Sequence, residues 1–217
     1  MNLFDINNIV TTVFGYPLSY IEFIGTLSGL ISVWLAARNN ILTWPTGLIN
    51  VSCFFAVFFQ VQLYADAFLQ VFFFIASIYG WITWKMNIDE IQPKSFILLS
   101  VKNRLKLLLG IIFATVVSEL FVKNIHLIFP EAFTLPAAYP VLDSFVAIMS
   151  IAATILLAKR VLENWVLWIT VDIISIFLYA SKNVLFISAE YVIFLVLAVF
   201  GLYSWLKKYN EKRVDFR

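Results

Sequence analysis

Five polar and aromatic residues in the sixth apolar stretch of the chain fall at helical spacing: Trp165, Trp168, Asp172, Ser175 and Tyr179. Side chains three or four residues apart share one face of a helix. Counted at about 1.5 Å per residue from the inner end of the stretch, Asp172 lies roughly 15 Å deep, close to the middle of a bilayer. A carboxylate beneath two indoles is suited to hold an aromatic cation by stacking and cation–π attraction.

An aromatic belt at the membrane surface is the competing interpretation of the tryptophan pair, with Asp172 bonded to a neighbouring helix. Trp165 fits that interpretation well. Trp168 and Asp172 lie too deep for it, which favours a binding role for both.

Two amide side chains are predicted at a similar depth, Asn50 in the second apolar stretch and Gln70 in the third. Amides donate and accept hydrogen bonds, as recognition of hydroxyl groups or a carboxamide demands. Bonding between helices is the alternative use for each of them.

Four further residues are predicted towards the outer ends of their helices: Tyr64 and Asp66 in the third stretch, and Glu190 and Tyr191 in the seventh. They could form an entrance that attracts cations. Anchors at the outer membrane surface would have the same residue types.

Several chemistries are excluded by what the chain lacks. Cys53 is the only cysteine and His126 the only histidine, which excludes a disulfide framework and disfavours histidine-based metal sites and catalytic triads. No glycine-rich phosphate loop occurs, so nucleotide hydrolysis is not expected. We therefore predict a protein that is not an enzyme, with no catalytic residue, metal, cofactor or nucleic-acid partner.

The composition places these residues in a membrane. The 217 residues are 62% hydrophobic, with a mean hydropathy of +0.93 and 22 Phe, 9 Tyr and 7 Trp. Soluble domains are roughly 45–50% apolar. The predicted partners are accordingly the lipid bilayer and a small-molecule substrate.

Seven stretches approach the roughly 20 apolar residues that cross a bilayer. Short connections make neighbouring helices antiparallel, whereas longer joints around 85–104 and 123–137 set the fourth stretch apart as a linker. The predicted spans are 19–37, 41–59, 63–84, 105–122, 138–158, 162–181 and 187–206.

Charge predicts the direction of insertion. Of the 15 lysines and arginines, all except Lys123 and Lys182 fall on one side of the predicted spans. Basic residues are retained on the cytoplasmic side. We therefore expect a multi-pass protein of the cytoplasmic, or inner, membrane with its N-terminus outside and its C-terminus inside.

An internal repeat appears when the chain is shifted against itself by 121 positions. Rare residues then match at equivalent depths: Glu22 with Asp143, Arg38 with Lys159, Trp44 with Trp165, Gly80 with Gly201, and Trp84 with Trp205. Three helices are an odd number, so an extra fourth helix makes the two units parallel, as in some transporters. The predicted units are a three-helix bundle (1–84), a linker helix with its loops (85–137), and a second three-helix bundle with a basic tail (138–217).

The chain resembles the PnuC family of nicotinamide riboside transporters over about residues 18–206. The resemblance rests on Gly47-Leu-Ile-Asn50, Gln62-Leu-Tyr64, Gln70-Val-Phe-Phe, Tyr79-Gly80-Trp81, Glu163-Asn164-Trp165-Val-Leu-Trp168 and Glu190-Tyr191. It implies an all-α membrane fold of seven helices in a three-plus-one-plus-three arrangement, similar to a full-length SWEET transporter. It also implies facilitated diffusion, with the substrate trapped inside by a kinase that phosphorylates it, and a role for the W-x-x-W pair in binding the substrate's ring.

One position departs from that pattern. Asp172 stands where nicotinamide riboside carriers of the family often have Asn, and an Asp also suits thiamine, another aromatic cation. Sister groups resemble carriers of thiamine, riboflavin or deoxynucleosides, so the cargo stays open at this point. A non-transporting subunit of a membrane complex is the alternative from another class, and a homo-oligomer is compatible with either.

Overall fold

The computed structural model of the chain describes residues 4–86, 96–128, 139–181 and 183–215. These residues form a short hairpin followed by seven helices, so the prediction of an all-helical chain with seven helices is confirmed, with the hairpin as an addition. The strands are β1 (Ile9–Val13) and β2 (Tyr16–Ser19), and the helices are α1 (Tyr20–Ala37), α2 (Thr43–Gln60), α3 (Tyr64–Met86), α4 (Val101–Ile128), α5 (Pro140–Ala158), α6 (Glu163–Ser181) and α7 (Leu185–Asp215).

Six of the seven helices are long and apolar enough to cross a membrane. The exception, α2, is less apolar because Thr43, Thr46, Asn50 and Ser52 fall among its 18 residues. Each of these four side chains donates a hydrogen bond to a backbone carbonyl oxygen. The backbone of the chain therefore satisfies these four polar side chains of α2, as a bilayer requires.

Two helices extend beyond the predicted spans. The fourth span was expected at 105–122 and α4 covers Val101–Ile128, whereas the seventh was expected at 187–206 and α7 covers Leu185–Asp215. At about 1.5 Å per residue, the 31 residues of α7 reach roughly 46 Å and exceed a hydrocarbon layer about 30 Å thick. Apolar periodicity detects only the part of a helix that lies in lipid.

Six of the helices close a ring. α1 packs on α2, α2 on α3, α3 on α5, α5 on α6, α6 on α7, and α7 returns to α1. The fourth helix packs on α5 and leaves Leu109, Phe113 and Phe121 more than half exposed. An apolar helix with so much exposed surface is suited to face lipid.

The turns between the helices recur at the predicted spacing of 121. Asn39 and Arg160 have φ angles of 57° and 55°, and Gln62 and Asn183 have φ angles of 60° and 58°. After each turn the backbone N–H bonds the carbonyl oxygen five residues earlier, which is the Schellman pattern of a helix end. Left-handed backbone is uncommon for residues other than glycine, so its recurrence at four matched positions reflects a repeated local structure.

A tryptophan cluster fills one end of the ring, the end that the distribution of basic residues predicts to be the inner one. The ring of Trp44 meets that of Trp84 edge to face with centroids 5.3 Å apart, and Trp165 meets Trp205 in the same way at 5.5 Å. The Nε1 atom of Trp84 donates to the carbonyl oxygen of Ala158 at 3.1 Å. The two edge-to-face pairs are therefore equivalent under the repeat, Trp44 matching Trp165 and Trp84 matching Trp205.

The second pair also reaches across the ring. The Nε1 atom of Trp205 donates to the carbonyl oxygen of Ala36 at 3.0 Å. This hydrogen bond joins α7 to α1, just as the bond from Trp84 joins α3 to α5. Glycines leave room for the indoles of Trp44 and Trp165. A Cβ added at Gly80 would lie 2.3 Å from the Trp44 side chain, and one added at Gly201 would lie 2.6 Å from the Trp165 side chain.

The segment before α4 covers this inner end. Phe96 lies 4.6 Å from the Trp205 ring, and the backbone of Ile97 forms a parallel bridge with Val161. Arg104 donates through Nε to Glu163 at 2.8 Å. The linker helix is therefore joined to the start of α6.

Candidate functional site

Asp172 lies near the middle of α6 with only 3% of the residue exposed. Within the described ranges, its carboxyl group has no hydrogen-bond partner. Trp168, one turn earlier, is half-buried and packs against both the tryptophan cluster and a second cluster formed with α4 and α5. The predicted pair of an acid and an indole therefore occupies adjacent turns of α6.

Tyr179 and Tyr191 form an aromatic wall between α6 and α7. Their rings stack with centroids 5.5 Å apart at 12°, and Phe194 meets Tyr191 at 6.1 Å. Ser175 hydrogen-bonds the Tyr191 side chain, and Asp172 acts on it electrostatically. Tyr191, predicted at an outer entrance, therefore also contacts the face of α6 that carries Asp172.

Asn50 joins α2 to α1. Its Nδ2 atom donates to the carbonyl oxygen of Gly25 at 2.8 Å, and it lies 2.6 Å from where a Cβ of Gly29 would be. The ring of Phe194 approaches the same position to 3.6 Å. Bonding between helices was one of the two uses predicted for Asn50, and this hydrogen bond is of that kind. The side chain also lies near Phe194, which belongs to the aromatic wall of α7.

Gln70 and Trp165 lie in contrasting places. Gln70 is half-buried on α3, and within the described residues nothing hydrogen-bonds its amide. Trp165 is 1% exposed and packs against Gly201 and Trp205 in the tryptophan cluster. The structure therefore places Trp165 at the inner end of the ring, apart from the tyrosine wall.

Carboxylates gather at the opposite end, where α3, α5 and α7 begin. Asp66, Asp143 and Glu190 all lie close enough to the Tyr179 hydroxyl to act on it electrostatically. Thr26 of α1 hydrogen-bonds Glu190. Two of the four predicted entrance residues, Asp66 and Glu190, are thus brought together from different helices, whereas the placement of the Tyr64 side chain lies outside the described part of the structure.

The hairpin adds residues that were not predicted for the site. Tyr16 stacks on Phe186 with centroids 5.3 Å apart and donates to Glu22 at 2.5 Å. Burial, and then the hydrogen bond to Glu22, raise the pKa of Tyr16 well above its usual range. Glu22 also closes a capping box with Ser19 at the start of α1, so the hairpin is tied to the carboxylate end of the ring.

Two signals in the sequence could have found these residues. Glu22 and Asp143 match in the repeat, which indicates that they lie at the same depth in the membrane. The match does not indicate that either residue lies near Glu190. Phe14 and Gly15 have φ angles of 51° and 80°, the pattern of a type I′ hairpin turn, after a run rich in β-branched residues. A β-branched run before a glycine is the signal for such a hairpin.

The arrangement is chemically suited to a flat cation. Indole and phenol rings offer π faces, and the carboxyl groups of Asp172, Asp66, Asp143 and Glu190 offer negative charge. Basic residues of the six ring helices are confined to inner ends, at Lys85 on α3 and from Lys207 onward on α7. Positive charge in the middle of the ring would therefore have to come from a ligand.

Fold and site together define a multi-pass helical membrane protein with ionisable groups inside a ring of helices. The chain belongs to the nicotinamide mononucleotide transporter family, whose profile matches residues 19–207. The predicted resemblance to PnuC is thereby confirmed, and the chain is a member of a family of membrane transporters.

Named relatives cover nearly the whole chain. The nicotinamide riboside transporter PnuC of Escherichia coli (strain K12) is 34% identical over 234 residues, covering 98% of this chain and 97% of that protein. The riboflavin/roseoflavin transporter RibM of Streptomyces davaonensis is 24% identical and covers 92% and 91%. The crystal structure of the vitamin B3 transporter PnuC is similar with a TM-score of 0.70 at 23% identity, covering 88% of this chain and 83% of that one. This likeness in structure establishes the fold.

Proposed function

We propose that the chain carries nicotinamide riboside into the cytoplasm by facilitated diffusion, for salvage of NAD, and that phosphorylation inside the cell traps the cargo. The observation that carries the proposal is the buried, unbonded carboxyl group of Asp172 one turn from the indole of Trp168. The relative with 34% identity is named for the same cargo.

The cargo's pyridinium ring stacks on Trp168 in this proposal, and its positive charge pairs with Asp172. Gln70, which has no hydrogen-bond partner among the described residues, and the remaining capacity of Asn50 serve the ribose hydroxyls and the carboxamide. Trp165 acts by packing against Gly201, so it holds α6 in place rather than touching the cargo.

The outer entrance consists of Tyr64, Asp66, Glu190 and Tyr191, with Tyr179 behind them. The carboxyl groups of Glu22 and Asp143 add negative charge to this entrance. Clefts lined with one sign of charge raise the local concentration of oppositely charged ligands. A cation is thus drawn to the mouth and passes inward along the tyrosine wall.

The architecture that we propose is two parallel three-helix bundles, in residues 1–84 and 138–217, joined by the linker of 85–137. The matched turns and the reciprocal bonds of Trp84 and Trp205 support it. The distribution of basic residues supports an N-terminus outside and a C-terminus inside the cytoplasmic membrane.

Purified protein in liposomes tests the function directly. Labelled nicotinamide riboside is expected to enter with saturable kinetics in the absence of ATP and of any imposed ion gradient. Matched liposomes without protein are the control. Uptake no greater than in those vesicles overturns the proposal in favour of a non-transporting subunit.

Thiamine is the second candidate cargo, because the carboxyl group of Asp172 suits any flat cation. Competition decides between the two. Unlabelled nicotinamide riboside is expected to block uptake at micromolar concentration and thiamine is not, whereas the reverse order assigns the carrier to thiamine. Riboflavin, the cargo named for the relative with 24% identity, is a neutral comparison in the same assay.

A further inference from the structure

A basic patch, formed by Arg38, Lys207 and Lys208, lies where the end of α1 meets α7. The Nζ atom of Lys208 donates to the backbone carbonyl oxygen of Arg38 at 3.1 Å, so the two helices are joined at this point. The guanidinium group of Arg38 lies over the indole of Trp34, with its Cζ atom 4.2 Å from the ring centroid. The patch thus combines cations from the first and the last helix of the ring.

Little negative charge lies beside the basic patch. Glu211 approaches Lys207 to 4.0 Å, but both side chains are mostly exposed, and exposed pairs of this kind contribute little. In the part of the chain that the structure describes, no carboxylate lies within 4 Å of Arg38 or Lys208. The patch is therefore suited to bind an anion.

An open groove of about 330 Å³ runs along α7 beside the patch. Small-ligand sites occupy roughly 300–1,000 Å³. Ammonium and hydroxyl groups lie at one end of this groove and aromatic rings at the other, so it suits a ligand with a charged head and an apolar tail. The residues that line the groove are Phe200, Tyr203, Ser204, Lys207, Lys208 and Glu211.

The groove opens to the outside of the helix ring, where lipid lies. Val196, Phe200 and Tyr203 share an exposed face of α7, whereas Trp205 lies on the opposite, buried face. Trp34 is exposed near the end of α1, which packs beside α7. Aromatic rings at such positions lie at the level of lipid headgroups. The apolar end of the groove therefore faces acyl chains and the basic patch faces headgroups.

The chemistry of the groove favours a phospholipid over a free phosphate. Ammonium and guanidinium groups donate charge-assisted hydrogen bonds to phosphate oxygens, and clusters of lysine and arginine beside a membrane helix attract anionic headgroups. Phe200 lies two turns before Lys207, or roughly 10 Å along the axis, in the direction of the acyl chains. A free phosphate would contact only the basic patch, whereas a phospholipid would contact both ends of the groove.

We propose that an anionic phospholipid binds in this groove, with its phosphate group held by the basic patch and an acyl chain along Phe200 and Tyr203. The lipid belongs to the leaflet that the distribution of basic residues predicts to be the cytoplasmic one. Because Arg38 lies on α1 and the two lysines on α7, the lipid bridges the first and the last helix of the ring. This inference goes beyond the proposed function and does not depend on it.

Quenching of tryptophan fluorescence by brominated lipids measures the binding, because Trp34 lies at the patch. The full chain is placed in phosphatidylcholine liposomes with a small fraction of brominated phosphatidylglycerol, or with the same fraction of brominated phosphatidylcholine. Phosphatidylglycerol is expected to quench more strongly, and this excess should disappear in Trp34→Phe. Equal quenching by the two lipids, or an excess that survives Trp34→Phe, overturns the proposal.

Two variants remove the charges of the patch one at a time. Lys207→Gln and Lys208→Gln are each expected to lower the relative affinity for phosphatidylglycerol about fivefold, the factor that one basic residue near a membrane surface contributes. Lys208→Arg should keep the affinity. Lys85→Gln is the matched control, because Lys85 is an exposed cation in the last turn of α3. An equal loss in Lys85→Gln would indicate a general effect of surface charge and overturn the site.

Glycerol 3-phosphate separates a lipid from a soluble phosphate compound. It is added on both sides of the liposomes that contain brominated phosphatidylglycerol, with sodium chloride of equal ionic strength as the control for screening. We expect the same quenching in both samples. Relief of the quenching by glycerol 3-phosphate alone would assign the groove to a soluble phosphate compound and overturn the assignment to a lipid.

Discussion

Two tryptophans one turn apart on α6 differ in what surrounds them. Trp165 is enclosed by Gly201 and Trp205 and is 1% exposed, whereas Trp168 retains exposed surface next to Asp172. An identical residue type at helical spacing therefore serves packing in one position and, in our proposal, ring binding in the other.

Replacing Trp168 by alanine is expected to raise the KM for uptake roughly 5- to 150-fold, because stacking of a flat ring on an aromatic side chain contributes about 1–3 kcal/mol. Trp168→Phe should recover part of that loss. Trp34→Ala is the matched control, since Trp34 is 40% exposed on α1 beneath Arg38. An unchanged KM in Trp168→Ala would remove this residue from the proposed site.

At the scale of the element, the ring depends on close approach of indoles to glycines. Gly201→Ala would place a methyl group 2.6 Å from the Trp165 ring, and overpacking of this kind costs about 1–3 kcal/mol. We expect a lower thermal unfolding temperature in detergent, read from the protein's intrinsic fluorescence.

The linker helix provides the control for that measurement. Gly110 has open space around it, so Gly110→Ala should leave the unfolding temperature unchanged or raise it slightly through helix propensity. Equal effects at both glycines would contradict the packing role of Gly201.

At the scale of the whole molecule, orientation can be measured with cysteines introduced after replacement of Cys53 by serine. Thr11→Cys in the hairpin and Asn210→Cys near the end of α7 both lie at exposed positions. The distribution of basic residues predicts that a membrane-impermeant thiol reagent labels the first in intact cells and the second only after permeabilisation. The opposite pattern would invert the proposed topology.

The helices themselves were predictable because a span of about 20 apolar residues is a local property of the chain. Predicted and observed bounds agree where a helix lies in lipid and differ at α4 and α7, whose ends carry charge. The hairpin at Ile9–Ser19 was not predicted, because its signal is only a β-branched run before Phe14-Gly15.

For the site, the sequence indicated the residues but not their partners. Helical spacing placed Trp168, Asp172 and Tyr179 on one face of α6. The shift of 121 matched Arg38 with Lys159, and each of these residues lies directly before one of the equivalent turns at Asn39 and Arg160. Periodicity along a helix indicates which residues share a face, but it does not indicate which other helix packs against that face.

The amino-acid sequence alone determined that this chain is a multi-pass membrane protein of the PnuC type, because hydropathy, charge and short motifs are carried by neighbouring residues. Only the tertiary structure decided that Trp165 packs at the inner end, that Asn50 bonds Gly25, and that Tyr191 stacks on Tyr179. The order and rotation of helices in the ring set these contacts, since they join residues far apart along the chain.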